Sequence, residues 1–337
     1  MGLIFFLALL FGTSQAFAAD RDPIIDVHMH ALHADDQGPP PMGMCTPIGS
    51  MPVWDQRGKY AEQFMERFKH PPCDDPVWSP MTDDELMNDT LAVMDRLNIF
   101  GVVSGTAERV AAWRKARPRR VIQGFMLEIE PGTTPATIQA LHDSGALDVL
   151  GEVTTQYQGI APGDPRLEPY WSLAEKLDIP VGIHVGTGPP GVIYMGAEGY
   201  RARMHSALTM EEVLVKHPRL RVYLAHAGYP MIDDLLALLY AHPQVYVDVG
   251  VIVFTQPRAA FYGYLQRIEQ AGFGKRVMFG SDQMVWPGVI ERAIKVIDEA
   301  PFLSAEDKRD ILYNNAARFL RVTPAQMAEH ARMGVHE

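Results

Sequence analysis

The sequence has no cluster of basic residues, no low-complexity tract and only two cysteines among its 337 residues. Its formal net charge of −11 argues against nucleic acid or an anionic membrane surface as a partner, because both attract positively charged proteins. The spacing of Cys45 and Cys73 matches no zinc-ribbon pattern. In an oxidising compartment the two would form a disulfide, and free thiols are the alternative.

The apolar run near the N-terminus, residues 3–11, is too short to span a bilayer comfortably. The small residues of Ala16-Phe17-Ala18 follow it, as in a signal-peptide cleavage site. No Lys or Arg precedes the run, so an uncleaved anchor is the alternative. We interpret residues 1–18 as a signal peptide cleaved after Ala18. This predicts a periplasmic or secreted protein with no membrane segment after cleavage.

Short apolar runs alternate with helical patterns through the rest of the chain. The eight runs are nearly continuous in Val, Ile, Leu and Phe, as in strands that are buried on both faces. They cover residues 24–30, 100–106, 121–128, 147–155, 181–186, 222–228, 245–251 and 277–282. The alternation predicts an α/β fold, a single-domain (β/α)8 TIM barrel. The alternative, a doubly wound open sheet, needs a glycine-rich phosphate turn after an early strand, and the sequence has none.

The domain organisation follows from where the long connections lie. Residues 31–82 form a long, proline-rich loop after the first strand, and loops of this length are usually functional lids or disordered segments. A second excursion, residues 186–206, follows the fifth strand. No linker divides the chain, so we assign the barrel to residues 19–322 and a C-terminal tail to residues 323–337.

Polar side chains are few near the C-terminal ends of the predicted strands, where barrels of this kind carry their chemistry. In the first strand, alternation places Asp26, His28 and His30 on one face. Four later strands each contribute one acid or imidazole: Glu152, His184, His226 and Asp282. Three acids and four imidazoles at one barrel mouth are costly to bury without a cation. The sequence therefore predicts a divalent metal site.

This ordered set resembles the amidohydrolase superfamily, in particular its amidohydrolase-related branch of metal-dependent hydrolases and decarboxylases. The resemblance covers about residues 23–322. It implies that both histidines of the first strand, with His184 and Asp282, bind metal. It also implies that His226 either binds a second ion or acts on the substrate. Two-metal members often have a carboxylated lysine where this chain has Glu152, which resembles the variant in which a glutamate bridges two ions.

The resemblance implies a hydrolase that cleaves a C–N, lactone or ester bond of a small molecule with a metal-activated water. Imidazole and carboxylate ligands suit Zn²⁺ above all, and also Mn²⁺ or Fe²⁺, at one or two ions per chain. Asp282 would bind the metal and accept the proton of the water. His226 would polarise the substrate carbonyl. Asp26 would orient a ligand histidine from behind.

Two other functions stay open at this point. A lyase of the same branch would decarboxylate a small aromatic or unsaturated carboxylic acid, usually with one metal. A protein with a degraded site would bind metal or ligand without catalysis. Glu152 favours hydrolysis, because a bridging carboxylate suits two metals.

The substrate contacts must come from the loops, and the sequence does not name the substrate. We expect Tyr194, Arg201 and Arg203 to contribute, because they lie in the excursion after the fifth strand. An arginine there could hold a substrate carboxylate. We interpret Asp248, on the seventh strand, as structural. The sequence allows a homo-oligomer but does not determine the oligomeric state.

Overall fold

A sheet of eight parallel strands forms the centre of the computed structural model, which describes residues 21–334. The strands are β1 (Ile24–His30), β2 (Ile99–Ser104), β3 (Val121–Leu127), β4 (Val149–Val153), β5 (Val181–His184), β6 (Val222–Ala225), β7 (Val245–Asp248) and β8 (Val277–Met278). Each strand pairs with the next one in parallel.

Two backbone hydrogen bonds across the seam bring the sheet close to a closed barrel. The amide of Val27 donates to the carbonyl of Phe279 at 3.0 Å, and the amide of Asp282 donates to that of His28 at 2.7 Å. The predicted single-domain (β/α)8 barrel is confirmed.

Helices connect the strands, as the alternation of apolar runs with helical patterns predicts. The α-helices are Tyr60–Lys69, Asp83–Arg96, Ala107–Ala116, Pro135–Asp143, Glu168–Leu177, Glu211–Lys216, Ile232–Ala241, Ile252–Thr255, Arg258–Gln270, Val289–Asp298, Ala305–Arg309, Asn315–Phe319 and Pro324–Met333, with a π-helical turn at Asp310–Asn314. Several begin at a hydroxyl cap: Thr82, Thr134 and Ser304 each accept from a backbone N–H of the first turn.

The long loop after β1 contains structure that the sequence pattern did not predict. It carries the helix Tyr60–Lys69 and a small antiparallel pair of strands, Gly43–Met44 and Val77–Trp78. A disulfide joins Cys45 to Cys73, which resolves the alternative left open by the sequence. The loop is therefore an ordered part of the barrel mouth.

The apolar core has two parts. The larger cluster packs outward-facing strand residues against the surrounding helices. The second joins strand residues such as Ile25 and Phe100 to the C-terminal helical segment, including Phe319 and Met333. Residues of the predicted tail thus contribute to this second cluster, because Met333 belongs to the helix Pro324–Met333.

Membrane-spanning segments were also considered. Within residues 21–334, no helix has the length and apolar character needed to cross a bilayer. The predicted signal peptide, residues 1–18, lies outside the described residues.

Candidate metal centre at the barrel mouth

Six of the predicted site residues lie together at the C-terminal ends of the strands. All six are buried, with at most 7% of any residue exposed: His28, His30, Glu152, His184, His226 and Asp282. Their nitrogen and oxygen atoms form three overlapping groups of potential metal ligands, within each of which the atoms lie no more than 4.8 Å apart. The structure thus brings together the acids and imidazoles that the sequence spreads over five strands.

The backbone of two of these residues departs from the strand conformation at the barrel mouth. His226 follows the end of β6 with φ of 60°, and Asp282 follows β8 with φ of 51°. Residues other than glycine seldom adopt this left-handed region, which costs them about 1–2 kcal/mol. Such backbone geometry at a cluster of polar side chains is typical of functional sites.

One set of donor atoms, called the first group below, comprises His28 Nε2, His30 Nε2, Glu152 Oε2 and Asp282 Oδ1. His30 Nε2 lies 3.0 Å from Asp282 Oδ1 and 3.7 Å from Glu152 Oε2. His28 Nε2 lies 3.7 Å and 3.5 Å from the same two oxygens. Ligand atoms around a tetrahedral zinc ion, with bonds of about 2.0–2.2 Å, are about 3.3–3.6 Å apart. Each of the two imidazole nitrogens therefore lies at nearly this spacing from both carboxylate oxygens.

The second group uses the other oxygen of the same glutamate. Glu152 Oε1 lies 2.8 Å from His184 Nδ1 and 3.5 Å from His226 Nε2. The two imidazole nitrogens are 3.0 Å apart. Glu152 thus presents one carboxylate oxygen to each group, which is the geometry that a carboxylate bridging two ions needs.

The hydrogen bonds of His28 leave one of its nitrogens available as a ligand. Its Nδ1 lies 3.1 Å from Asp248 Oδ2, while its Nε2 is buried and has no hydrogen-bond partner among residues 21–334. A neutral imidazole that donates through Nδ1 keeps a lone pair on Nε2. This lone pair faces the first group, so the residues present fit a divalent cation.

Asp248 has a larger role than its interpretation as a structural residue suggested. Besides contacting His28, it accepts hydrogen bonds through Oδ1 from the backbone amides of His226 (3.2 Å) and Gly250 (2.7 Å). Carboxylates that hold the far nitrogen of a ligand histidine fix the orientation of its ring. The position of Asp248 at the C-terminal end of β7 could have revealed this role, since the other site residues occupy equivalent positions.

Gln283 is a second residue that sequence reasoning missed. Its side chain is fully buried and bridges the barrel seam: Oε1 accepts from the amide of His30 at 2.9 Å, and Nε2 donates to the carbonyl of His30 at 2.7 Å. The side-chain amide of Gln283 thus makes the hydrogen bonds that a neighbouring strand backbone would otherwise make between β1 and the segment after β8. No pattern in a single sequence identifies a glutamine used in this way.

Asp26 lies behind the cluster but contacts backbone rather than an imidazole. Its Oδ1 accepts from the amides of His28 and Ser281, each at 3.0 Å. The register of β1 on β2 shifts between Asp26 and Met29, so the alternation predicted for this strand is interrupted by a bulge. Burial raises the pKa of Asp26 to about 7, although the hydrogen bonds from Ser281 oppose the shift.

Burial and charge act in opposite directions on the clustered groups. Burial alone would lower the pKa of His28, but Asp282, Asp248 and Glu152 outweigh it and raise the pKa well above its usual value. Burial would raise the pKa of Glu152, but His28 and His184 bring it well below the usual range. The Glu152 carboxylate is therefore anionic, which is the form in which a carboxylate binds metal.

The predicted substrate-binding residues lie away from this cluster. Tyr194 is 57% exposed and packs on Trp54, with ring centroids 4.8 Å apart. Arg201 donates to the carbonyls of Glu198 and Tyr200 in its own loop, and Arg203 is exposed. No hydrogen bond or ion pair within the described part of the chain joins these three side chains to the six clustered residues.

Comparisons with known proteins give one family and a set of similar folds. A family model described as amidohydrolase (Amidohydro_2) matches residues 25–322. A search of curated proteins finds no match.

The similar solved structures share the barrel at low sequence identity. An uncharacterised TIM-barrel protein from Bordetella bronchiseptica has a TM-score of 0.58 and 20% identity, covering 91% of this chain and 99% of that one. A probable 2-pyrone-4,6-dicarboxylic acid hydrolase from Acinetobacter baumannii has a TM-score of 0.56 and 15% identity, covering 88% and 99%. A 5-carboxyvanillate decarboxylase from Sphingomonas paucimobilis has a TM-score of 0.54 and 17% identity, covering 89% and 99%.

Proposed function

The chain belongs to the amidohydrolase family, and on this premise we propose that it is a metal-dependent hydrolase acting on a C–N, lactone or ester bond of a small molecule. The observation that carries the proposal is the position of Glu152, which offers one carboxylate oxygen to each of two groups of donor atoms. Members of the family are enzymes, either hydrolases or decarboxylases. A bridging carboxylate favours hydrolysis, because two ions can hold both water and substrate.

In this proposal His28, His30, Asp282 and Glu152 would hold one ion. His184 and His226 would hold the second ion, with Glu152 shared between the two. The donor set of imidazoles and carboxylates suits Zn²⁺. When bound, such an ion polarises a carbonyl oxygen and makes water a stronger acid.

Asp282 is placed to move the proton of the attacking water. Its Oδ1 faces His30, while its second oxygen makes no hydrogen bond to any described residue. That oxygen can accept a proton from water and return it to the leaving group, as a general base and acid. Low exposure at the site keeps bulk water from competing for the proton.

His226 is the clustered residue that can serve either the metal or the substrate. Its Nδ1 lies 2.8 Å from the carbonyl of Gly250, so the proton of a neutral ring lies there and the lone pair of Nε2 faces His184 and Glu152. With only the first ion bound, a protonated His226 would donate through Nε2 to the substrate carbonyl and stabilise the developing oxyanion.

A decarboxylase is the second candidate, and one observation favours it. The first group of donor atoms does not include His184 or His226, so four other side chains would be available to hold a single ion. One ion is enough to hold the carboxylate of an aromatic or unsaturated acid next to the remaining imidazoles.

Metal analysis of the purified protein, followed by an activity panel, distinguishes the two functions. After loading with Zn²⁺, hydrolysis predicts two equivalents per chain and turnover of a lactone, ester or N-acyl amino acid. One equivalent with release of CO₂ from a hydroxybenzoate supports the lyase instead. Absence of bound metal would contradict both.

The variant Asp282→Asn tests the role of its carboxylate directly. We expect a loss of turnover of about 100-fold or more with an unchanged circular dichroism spectrum, because the proton acceptor is removed. Asp89→Asn, on an exposed face of the helix Asp83–Arg96, is the matched control and should retain activity. Full activity in Asp282→Asn would contradict the assignment.

We also propose that the protein works in the periplasm or outside the cell. The disulfide between Cys45 and Cys73 supports this, since such bonds persist in oxidising compartments. N-terminal sequencing of the protein from the periplasmic fraction should begin at Ala19. A full-length cytoplasmic product would contradict the proposal.

A further inference from the structure

One tyrosine at the barrel mouth has a hydroxyl that the protein itself leaves unpaired. Tyr157 follows β4, and its ring centroid lies 4.7 Å from that of the ligand histidine His184. No described residue lies within hydrogen-bond distance of the hydroxyl. By contrast, the hydroxyls of other packed tyrosines have backbone acceptors: Tyr60, Tyr170, Tyr223 and Tyr264 bind Pro190, Thr133, Val27 and Ala227.

The turn that carries Tyr157 is held from both sides. Gln156 Nε2 donates to the carbonyl of Gly186 in the loop after β5 at 2.9 Å. Gln158 makes two hydrogen bonds to the backbone of Ile129 after β3, at 2.9 Å and 3.1 Å. Donors on a rigid support lose little conformational freedom on binding a ligand, so they bind and discriminate well.

The position of the ring depends on a close approach to Gly188. A Cβ atom at Gly188 would lie 2.7 Å from the ring and 2.9 Å from the hydroxyl oxygen, so a larger residue would displace the side chain. The ring also stacks on Tyr200, with centroids 5.7 Å apart. Tyr157 thus packs against His184 and the loop after β5, and it remains half-buried.

We propose that Tyr157 donates a hydrogen bond to an oxygen atom of the substrate, the carbonyl oxygen that gains charge in hydrolysis or a carboxylate oxygen of an acid. The hydroxyl makes no hydrogen bond to a described residue, so it is free to donate to a ligand that replaces water there. The phenol is a donor at neutral pH. Such donors act most strongly where charge develops at a desolvated site. The inference rests on the proposed function and adds the side chain that recognises the reacting oxygen.

Tyr157→Phe removes the donor and keeps the ring, and acetohydroxamate is a small oxygen-donor probe for the site. Titration of the zinc-loaded protein by calorimetry should give a Kd about tenfold higher in Tyr157→Phe than in the wild type, the loss of one hydrogen bond. Zinc content and melting temperature should stay unchanged. For a substrate found in the activity panel, kcat/KM should fall by at least the same factor.

Tyr170→Phe is the matched control, because its hydroxyl already donates to the carbonyl of Thr133 within the protein. We expect its Kd for acetohydroxamate to equal that of the wild type. A wild-type Kd in Tyr157→Phe, an equal loss in both variants, or no binding to the zinc-loaded wild type would overturn the inference. Failure of the wild type to bind zinc would overturn the proposed function first, and this inference with it, so the two failures are distinguishable.

Discussion

The roles of some residues at the barrel mouth can be predicted from the sequence, whereas those of others cannot. The two histidines of β1 stand two positions apart, and the acids and imidazoles of later strands stand at strand ends, so the pattern predicts them. Asp248 contacts the Nδ1 side of the His28 ring, 220 residues away in the sequence. Gln283 binds the backbone of His30, 253 residues away. Contacts at such separations follow from the closed barrel, which a local pattern does not contain.

The contact between Asp248 and His28 predicts a defect in metal binding. Asp248→Asn should weaken the affinity for Zn²⁺ about 10–100-fold, because a neutral amide orients the His28 ring less firmly and makes Nε2 less basic. Competition with a chromophoric chelator measures the affinity. Asp89→Asn serves as the control. An unchanged affinity for Zn²⁺ in Asp248→Asn would show that the His28 ring needs no carboxylate behind it.

The hydrogen bonds of Gln283 to the backbone of His30 predict a loss of stability when its side chain is replaced. Gln283→Leu leaves the buried N–H and C=O groups of His30 without partners, which should lower the free energy of unfolding by about 2–4 kcal/mol. Urea denaturation measures this loss. The exposed Gln270 at the end of a helix provides the control substitution Gln270→Leu, which should have little effect. Equal stability of the two variants would refute the bridging role of Gln283.

At the scale of elements, the sequence predicts the strands of the barrel and the helices that connect them, but it does not predict where the strands end. The predicted runs extend several residues past the observed ends of β5, β6, β7 and β8. The reason is physical: these apolar runs continue into residues such as His226 and Asp282, whose backbones turn away from the sheet to aim the side chains. A hydrophobic run indicates that residues are buried, and residues remain buried beyond the point where hydrogen bonding between the strands has ended.

In the loop after β1 the sequence predicts too little regular structure rather than too much. Its proline content predicts an irregular segment, yet it contains the helix Tyr60–Lys69. Tyr60 and Phe64 of this helix are buried against one another, and the Tyr60 hydroxyl binds the carbonyl of Pro190 in the loop after β5. The helix is stabilised by packing of the loop after β1 on the loop after β5. The sequence of the first loop alone does not show which segment it packs against.

The disulfide in this loop predicts a measurable share of the stability. Replacing both cysteines, Cys45→Ser with Cys73→Ser, should lower the free energy of unfolding by about 3–4 kcal/mol, because the bridge closes a loop of 28 residues in the unfolded chain. Comparison with the oxidised wild type in a denaturant titration measures the difference. An unchanged midpoint would mean that the folded loop is held by its packing alone.

At the scale of the whole molecule, the C-terminal segment belongs to the physical core even though its sequence resembles a tail. The His330 ring stacks on Phe100 at 3.6 Å, and its Nδ1 lies 2.9 Å from the hydroxyl of Tyr313. Met333 is buried in the second cluster. This short amphipathic stretch follows the last predicted helix after only a few residues, so composition gave no reason to include it in the barrel.

Deletion of the segment tests its contribution. A chain that ends at Val322 should unfold with a free energy lower by about 3 kcal/mol, since it loses the burial of Met333 and the ring contacts of His330. The metal content should be retained, because the segment makes no contact with the six clustered residues among those described. Wild-type stability after deletion would identify residues 323–337 as a dispensable tail.

Both proposed functions require at least one cation to lie among the clustered side chains of β1, β4, β5, β6 and the segment after β8. Anomalous diffraction at the zinc absorption edge, from crystals of the zinc-loaded protein, tests this most directly. We predict one peak within about 2.0–2.2 Å of His28 Nε2, His30 Nε2 and Asp282 Oδ1, and a second across the carboxylate of Glu152. At saturating zinc, the absence of any peak within bonding distance of His28 and His30 would contradict the account.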